Sequence, residues 1–164
     1  MLISFLLIPI LTAIVLLFIK KDTLASQTAI AASLATLALA VFASFNQVDA
    51  FDIAWLPNLN SRFTLQVDGL AKILILLTAI SLPAILIASA KNEYKQKNIF
   101  LSLLLFTQAG LMGVFLAGDA LLFYFFWELA LIPVYFLCSI WGGEKRIAIT
   151  FKFFIYTFLG SLFM

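Results

Sequence analysis

The sequence predicts an all-α fold, a polytopic transmembrane bundle of about six helices, and three observations predict it. Hydrophobic residues make up 65% of the 164-residue chain and charged residues 11%, with a mean hydropathy of +1.16, against roughly half and a quarter in a soluble domain. Apolar runs of about twenty residues recur, each long enough to cross a hydrocarbon core of roughly 30 Å. Most Lys and Arg residues stand between these runs. Lipid offers no hydrogen bonds, so each run has to satisfy its own backbone as a helix.

The first run covers residues 2–19 and ends at Lys20, Lys21 and Asp22. No basic residue precedes it and no clear small-residue cleavage site follows, so it is expected as a retained helix, not a signal peptide. The second covers 24–45 and ends at Asn46 and Gln47. A polar connection over 46–67, with Asp49, Asp52, Trp55, Pro57 and Arg62, is the longest loop and leads to the third run, 69–90. The polar stretch 91–98 separates this from the fourth, 99–117, and Gly118 and Asp119 alone separate that from the fifth, 120–141. Such a short turn forces an antiparallel pair. After Gly142, Gly143, Glu144, Lys145 and Arg146 the sixth run, 147–164, is still apolar at Met164, so a single transmembrane region that continues further is expected.

The composition also excludes functions. A formal charge of +2 gives no footprint for a nucleic-acid partner. With no His and one Cys, Cys138, the chain lacks ligands for haem, an iron–sulfur cluster or a structural zinc. Any redox chemistry is therefore expected on other chains, and Cys138 is expected as a small buried hydrophobe. Orientation follows from the loops. The connections after the first, third and fifth runs hold Lys20, Lys21, Lys91, Lys95, Lys97, Lys145 and Arg146, whereas the other two hold Arg62 alone among basic residues, beside Asp49, Asp52, Asp68 and Asp119. Seven against one places the basic loops in the cytoplasm and the N-terminus outside.

Inside the runs Glu128 stands out, because a carboxylate in hydrocarbon is costly and such residues mark ion or proton paths. Counting from Ala120 puts it roughly 12 Å below the outer surface, beyond the reach of its short stem. Tyr124 and Tyr135 are four residues before and seven after it, on one stripe, and Pro133 withholds a donor from the Leu129 carbonyl. The alternative is a structural carboxyl held by a hydrogen bond to a neighbouring helix. Lys152 is about six residues into the sixth run, within reach of the interface by snorkelling and roughly 10 Å from Glu128 in depth. Tyr156 and Thr157 are closer in height. Asp68 and Asp119 are expected helix caps, and Lys72 is a second snorkelling candidate. Pro9 and Pro83 lie inside runs one and three and carry no assigned function.

The stretch 119–156, with Phe-Phe-Trp-Glu-Leu-Ala-Leu-Ile-Pro-Val-Tyr-Phe-Leu, then Ile-Trp-Gly-Gly, then Lys-Phe-Phe-Ile-Tyr-Thr, resembles the proton-pumping membrane subunit M family of NADH:quinone oxidoreductase, respiratory complex I, called chain 4 in mitochondria. Val-Asp-Gly-Leu at 67–70 and Gly-Val-Phe-Leu-Ala-Gly-Asp at 113–119 share the likeness. Trp-Glu also occurs in the sister subunits and in Mrp-type cation/proton antiporters. The resemblance implies the N-terminal third of an antiporter-like inverted-repeat fold of about fourteen helices, in a bacterial inner membrane. It implies a half-channel in which the fifth-helix Glu, matched by Glu128, pairs with a Lys on the seventh helix, beyond residue 164. It implies proton export driven by NADH oxidation and quinone reduction elsewhere, with Glu128 as proton carrier; Tyr124, Tyr135 and Lys152 are relay candidates by their positions in the sequence alone. No cofactor or metal is expected on this chain. NADH, flavin, iron–sulfur clusters and quinone belong to other subunits, and the expected partners are the lipid bilayer and the neighbouring antiporter-like subunits. An Mrp-type antiporter subunit and a non-transporting membrane scaffold are the alternatives.

Overall fold

The computed structural model describes residues 1–59, 61–90, 92 and 94–163. Lys91 and Glu93 of the basic third connection, and Met164, lie outside the described residues. Six helices follow one another: α1 (Ser4–Phe18), α2 (Asp22–Phe45), α3 (Gly69–Ser89), α4 (Lys97–Leu116), α5 (Ala120–Trp141) and α6 (Arg146–Leu162). Helices α2 to α5 are each long and apolar enough to cross a membrane. The helices form where the apolar runs predicted them, and α5 coincides with its run. Helices α2 and α4 start two residues early, at Asp22 and Lys97, because the hydrogen-bonded ladder continues past the edge of the apolar segment.

Packing follows the distribution of small residues. Helix α2 buries Ala25, Ala29, Ala32, Ser33, Thr36, Ala40 and Ala43 in a stripe, and small side chains let membrane helices approach closely where lipid removes any hydrophobic gain. Helix α3 buries Ala71, Ile75, Ala79, Leu82 and Leu86 and leaves Leu70, Ile73, Leu77 and Ile80 exposed. An apolar stripe facing outward is a liability in water and the expected surface in lipid. Helix α4 is the centre of the bundle, packed on α1, α2, α3 and α5, while α6 packs chiefly on α5. One core joins Leu2, Phe5, Ile75, Met112, Leu122 and Phe126 near one end. A second joins Leu16, Ala29, Leu86, Leu101 and Leu105 towards the other.

The connection 46–67 is more ordered than its composition suggests. It holds an antiparallel hairpin of β1 (Phe51–Leu56) and β2 (Ser61–Leu65), joined through a 3₁₀ turn at Pro57–Leu59 and paired from Phe51 with Leu65 to Ala54 with Arg62. Alternation of Phe51, Ile53 and Trp55, then Phe63 and Leu65, is the strand signal. The opposite face is polar, where Arg62 Nε donates to both Asp52 oxygens at 2.8 and 2.9 Å and Thr64 Oγ1 donates to Asp52 Oδ1 at 2.8 Å. The hairpin lies against the α4–α5 turn. Gln66 N donates to the Leu116 carbonyl and Gly118 N to that of Thr64, both at 2.8 Å, while Trp55 meets Phe125 edge-on at 5.7 Å.

That docking sorts the connections by end. The hairpin and the α4–α5 turn share one end of the bundle. At the other end Trp141 Nε1 donates to the Lys95 carbonyl at 3.1 Å, and Lys97 Nζ donates to the Ala90 carbonyl at 2.6 Å. Lys95, Lys97, Lys145 and Arg146 thus gather at the end opposite the hairpin. Cys138, expected to be buried, is exposed. It stands on the last turns of α5 where the chain turns out towards α6, beside an open pocket with Gly142, Lys145, Ile149 and Phe153.

Candidate functional site

The site is held by the α4–α5 pair. Gly110 and Gly113 present no side chain to α5, so Ala130 and Phe126 come directly against the α4 backbone. Asp119 starts α5 as its N-cap, accepting from Leu121 N at 2.9 Å and Leu122 N at 3.2 Å, and it also accepts from Ser61 Oγ of β2 at 2.9 Å. Asp68 caps α3 in the same way, accepting from Ala71 N at 2.6 Å. Both caps match the sequence expectation. The hydroxyl of Ser61, then the backbone amides, hold the Asp119 carboxyl below its ordinary range, although partial desolvation opposes them. Arg62, followed by Thr64, does the same for Asp52.

Glu128 stands near the middle of α5 and is half-buried. Its Oε1 accepts from Ser161 Oγ of α6 at 2.5 Å, and Ser161 is 8% exposed. Trp127, Tyr156, Thr157, Gly160 and Ser161 line an open pocket of about 250 Å³ beside this pair. A carboxylate that accepts a hydroxyl proton next to a space able to take water can bind and release protons.

The expected relay residues Tyr124, Tyr135 and Lys152 are not among the residues that line the pocket. Tyr156 and Thr157 line the pocket, at the height the sequence assigned them. Lys152 is exposed, and Tyr135 packs edge-on against Phe154 of α6 at 5.3 Å. Among the described residues, no hydrogen bond joins Tyr124, Tyr135 or Lys152 to Glu128. The pocket beside Pro133 is walled by Leu103, Phe106, Leu129, Ile132 and Phe136, so Pro133 faces apolar side chains. Lys72 Nζ donates to the Ser44 carbonyl at 3.4 Å.

Ser161 was missed, and a signal for it existed. Glu128 stands thirteen residues before the end of α5 and Ser161 fifteen after the start of α6, so a depth ruler laid from their shared loop brings the two level. A second polar pair, outside this site, is fully buried between α2 and α4. There Gln108 Nε2 donates to Thr36 Oγ1 at 2.9 Å, and Gln108 Oε1 has no partner among the described residues. Among the described residues no set of three or more His, Cys, Asp or Glu forms a metal site.

Residues 117–164 match the family described as NADH:quinone oxidoreductase/Mrp antiporter, TM, and these residues include the whole of α5 with Glu128. The chain is similar, at 38% identity over 96% of its length, to the F420H2 dehydrogenase subunit M of Methanosarcina mazei. It is 42% identical over 69% of its length to an NAD(P)H-quinone oxidoreductase chain 4 of Picosynechococcus. The chain is a membrane segment of the chain 4/M type. Its fold agrees, superposing over 99% of its length with respiratory complex I from Thermus thermophilus with bound NADH, at a TM-score of 0.83 and 28% identity. This chain 4/M-type segment spans 33% and 21% of the two relatives and 34% of the matched Thermus chain. It is a multi-pass membrane protein, as its apolar helices require.

Proposed function

We propose that this segment forms part of a proton-translocating membrane subunit of an NADH:quinone oxidoreductase, with Glu128 as a proton carrier. Electron transfer from NADH to quinone, through flavin and iron–sulfur clusters, takes place on other subunits. Neighbouring antiporter-like subunits and lipid cover the bundle. The subunit lies in a bacterial inner membrane with its N-terminus outside and the end bearing Lys95, Lys97, Lys145 and Arg146 in the cytoplasm.

The observation that carries this reading is Glu128 itself, an ionisable group near the middle of the apolar helix α5 and next to the pocket that Tyr156 and Thr157 line; its bond from Ser161 fits a structural carboxyl equally. A carboxylate at that depth is costly unless the fold supplies partners, and here a partner comes from the adjacent helix. A lysine approaching or withdrawing would load and unload such a group. The relatives take different electron donors by name, F420H2 and NAD(P)H, and the proposal concerns the proton arm alone. The family description also names Mrp antiporters, which supports sodium/proton exchange as a second reading.

The test is Glu128→Gln in the assembled complex. Gln keeps size and hydrogen bonding and removes the titrating proton. Proton pumping and the coupled quinone reduction are expected to fall together by two-thirds or more, a barrier rise of roughly 0.7 kcal/mol, with assembly intact. Normal proton yield in an assembled Gln variant would leave only the structural role for Glu128.

A further inference from the structure

We propose that Ser161 is the positioning residue that lets Glu128 hold a proton and give it up without moving, its hydroxyl donating to the carboxylate and turning round to accept from the carboxylic acid. This rests on the proton-carrier reading of Glu128.

A serine hydroxyl has one proton to donate and lone pairs to accept with. Two acceptors lie within reach of that single proton, Glu128 Oε1 at 2.5 Å and the Phe158 carbonyl at 2.8 Å. With Glu128 ionised, the proton points to Oε1 in a charge-assisted O–H···O⁻ bond. With Glu128 protonated, its own O–H donates to Ser161 Oγ, and the serine proton swings to the Phe158 carbonyl. No heavy atom has to shift. The arriving proton stays on Glu128. Ser161 keeps its own proton and changes only its acceptor, so no bond to its oxygen breaks. A donor-only group in this place, such as an ammonium or a backbone N–H, would favour the ionised form alone.

The surroundings leave this role to Ser161. On α6, the Thr157 hydroxyl donates to the Phe153 carbonyl at 2.9 Å, while Lys152 and Tyr156 are exposed. On α5 the other titratable groups are Tyr124, Tyr135 and Cys138. Helix α4 offers Lys97 alone, at the far end on the Ala90 carbonyl, and β2 offers Arg62, paired with Asp52. Ser161 is thus a buried hydroxyl that faces the carboxylate from the opposing helix.

Infrared difference spectroscopy of the assembled complex during turnover tests this. The Glu128 carboxyl band is assigned by its loss in Glu128→Gln. In Ser161→Ala that band is expected at higher wavenumber, because the acid has lost its acceptor, and pumping is expected to drop about two- to tenfold, the worth of one hydrogen bond. Ser161→Thr, which restores the hydroxyl, is expected to restore both. Ser161→Cys, with a weak donor of similar size, should shift the band in the same direction as Ala. An unshifted band with full pumping in Ser161→Ala overturns the proposal for Ser161. The absence of any turnover-linked Glu128 band in the unaltered complex overturns the carrier reading instead.

Discussion

Gly110 of α4 lies so close to Ala130 of α5 that a Cβ built on it would stand 2.7 Å from the Ala130 Cβ and 2.8 Å from its Cα. The obstructing atoms are largely backbone, so they yield only if α5 itself moves, and α5 carries Glu128. Two effects of Gly110→Ala compete, a helix-propensity gain of about 1 kcal/mol and overpacking of about 1–3 kcal/mol. Overpacking is expected to win. Gly110→Ala should lower the thermal-inactivation temperature of the assembled complex, and Gly110→Leu should lower it further. Gly69→Ala, where nothing stands within 4 Å of the new Cβ, serves as the control and should change little.

Asp119 joins two elements, capping α5 and accepting from Ser61 Oγ and, at 3.5 Å, from Arg62 N of β2. Asp119→Ala is expected to speed hydrogen exchange together at Arg62, Leu121 and Leu122, with slower exchange retained at the α3 cap. Acid should lower the protection of the same amides. The Asp119 and Asp52 carboxyls are held below 3.8 in the folded state by Ser61 and Arg62 respectively. Their stabilisation is therefore full above the unfolded value and is lost as pH falls through the lower folded one. With the intrinsic pH dependence of amide exchange divided out, protection at the hairpin should stay flat from neutrality down to about pH 4 and fall below it. Hairpin protection that already falls between pH 7 and 5 would contradict the assignment.

Two buried hydrogen bonds cross α4 with different expected costs. Ser102 Oγ donates to the Ala13 carbonyl at 2.7 Å, and Ser102→Ala is expected to cost about 0.6 kcal/mol, the mean for such bonds between membrane helices. Gln108→Leu is expected to be neutral or stabilising. It removes the unpartnered Oε1, while Thr36 Oγ1 still donates to the Ser33 carbonyl at 2.8 Å. A lower midpoint for Gln108→Leu than for Ser102→Ala in thermal inactivation would reverse this ranking.

Orientation has its own check. A reporter active only outside the cytoplasm is expected to work when inserted after Asn58, in the 3₁₀ turn of the hairpin, and to fail after Lys145. Activity after Lys145 would invert the proposed topology.

Hydrophobic length and the position of charge alone determined the six helices, the antiparallel α4–α5 pair and the two aspartate caps. Those features depend on local segments, because in lipid a backbone must satisfy itself. Glu128 was legible for the same reason, as an ionisable group where none is free of cost. Only the tertiary structure decided what Glu128 touches. Its partner Ser161 is an ordinary hydroxyl 33 residues away, one of many in the chain, and choosing it requires the rotation of α6 about its axis as well as its depth. The same limit applied to Cys138, whose exposure follows from where α6 leaves α5, and to Tyr135, whose ring packs on Phe154. The hairpin lay between the two cases. Its alternating strands were present in the sequence, but its dock on the α4–α5 turn rests on Asp119 acting at once as helix cap and as acceptor for Ser61, a double role that a capping pattern does not encode.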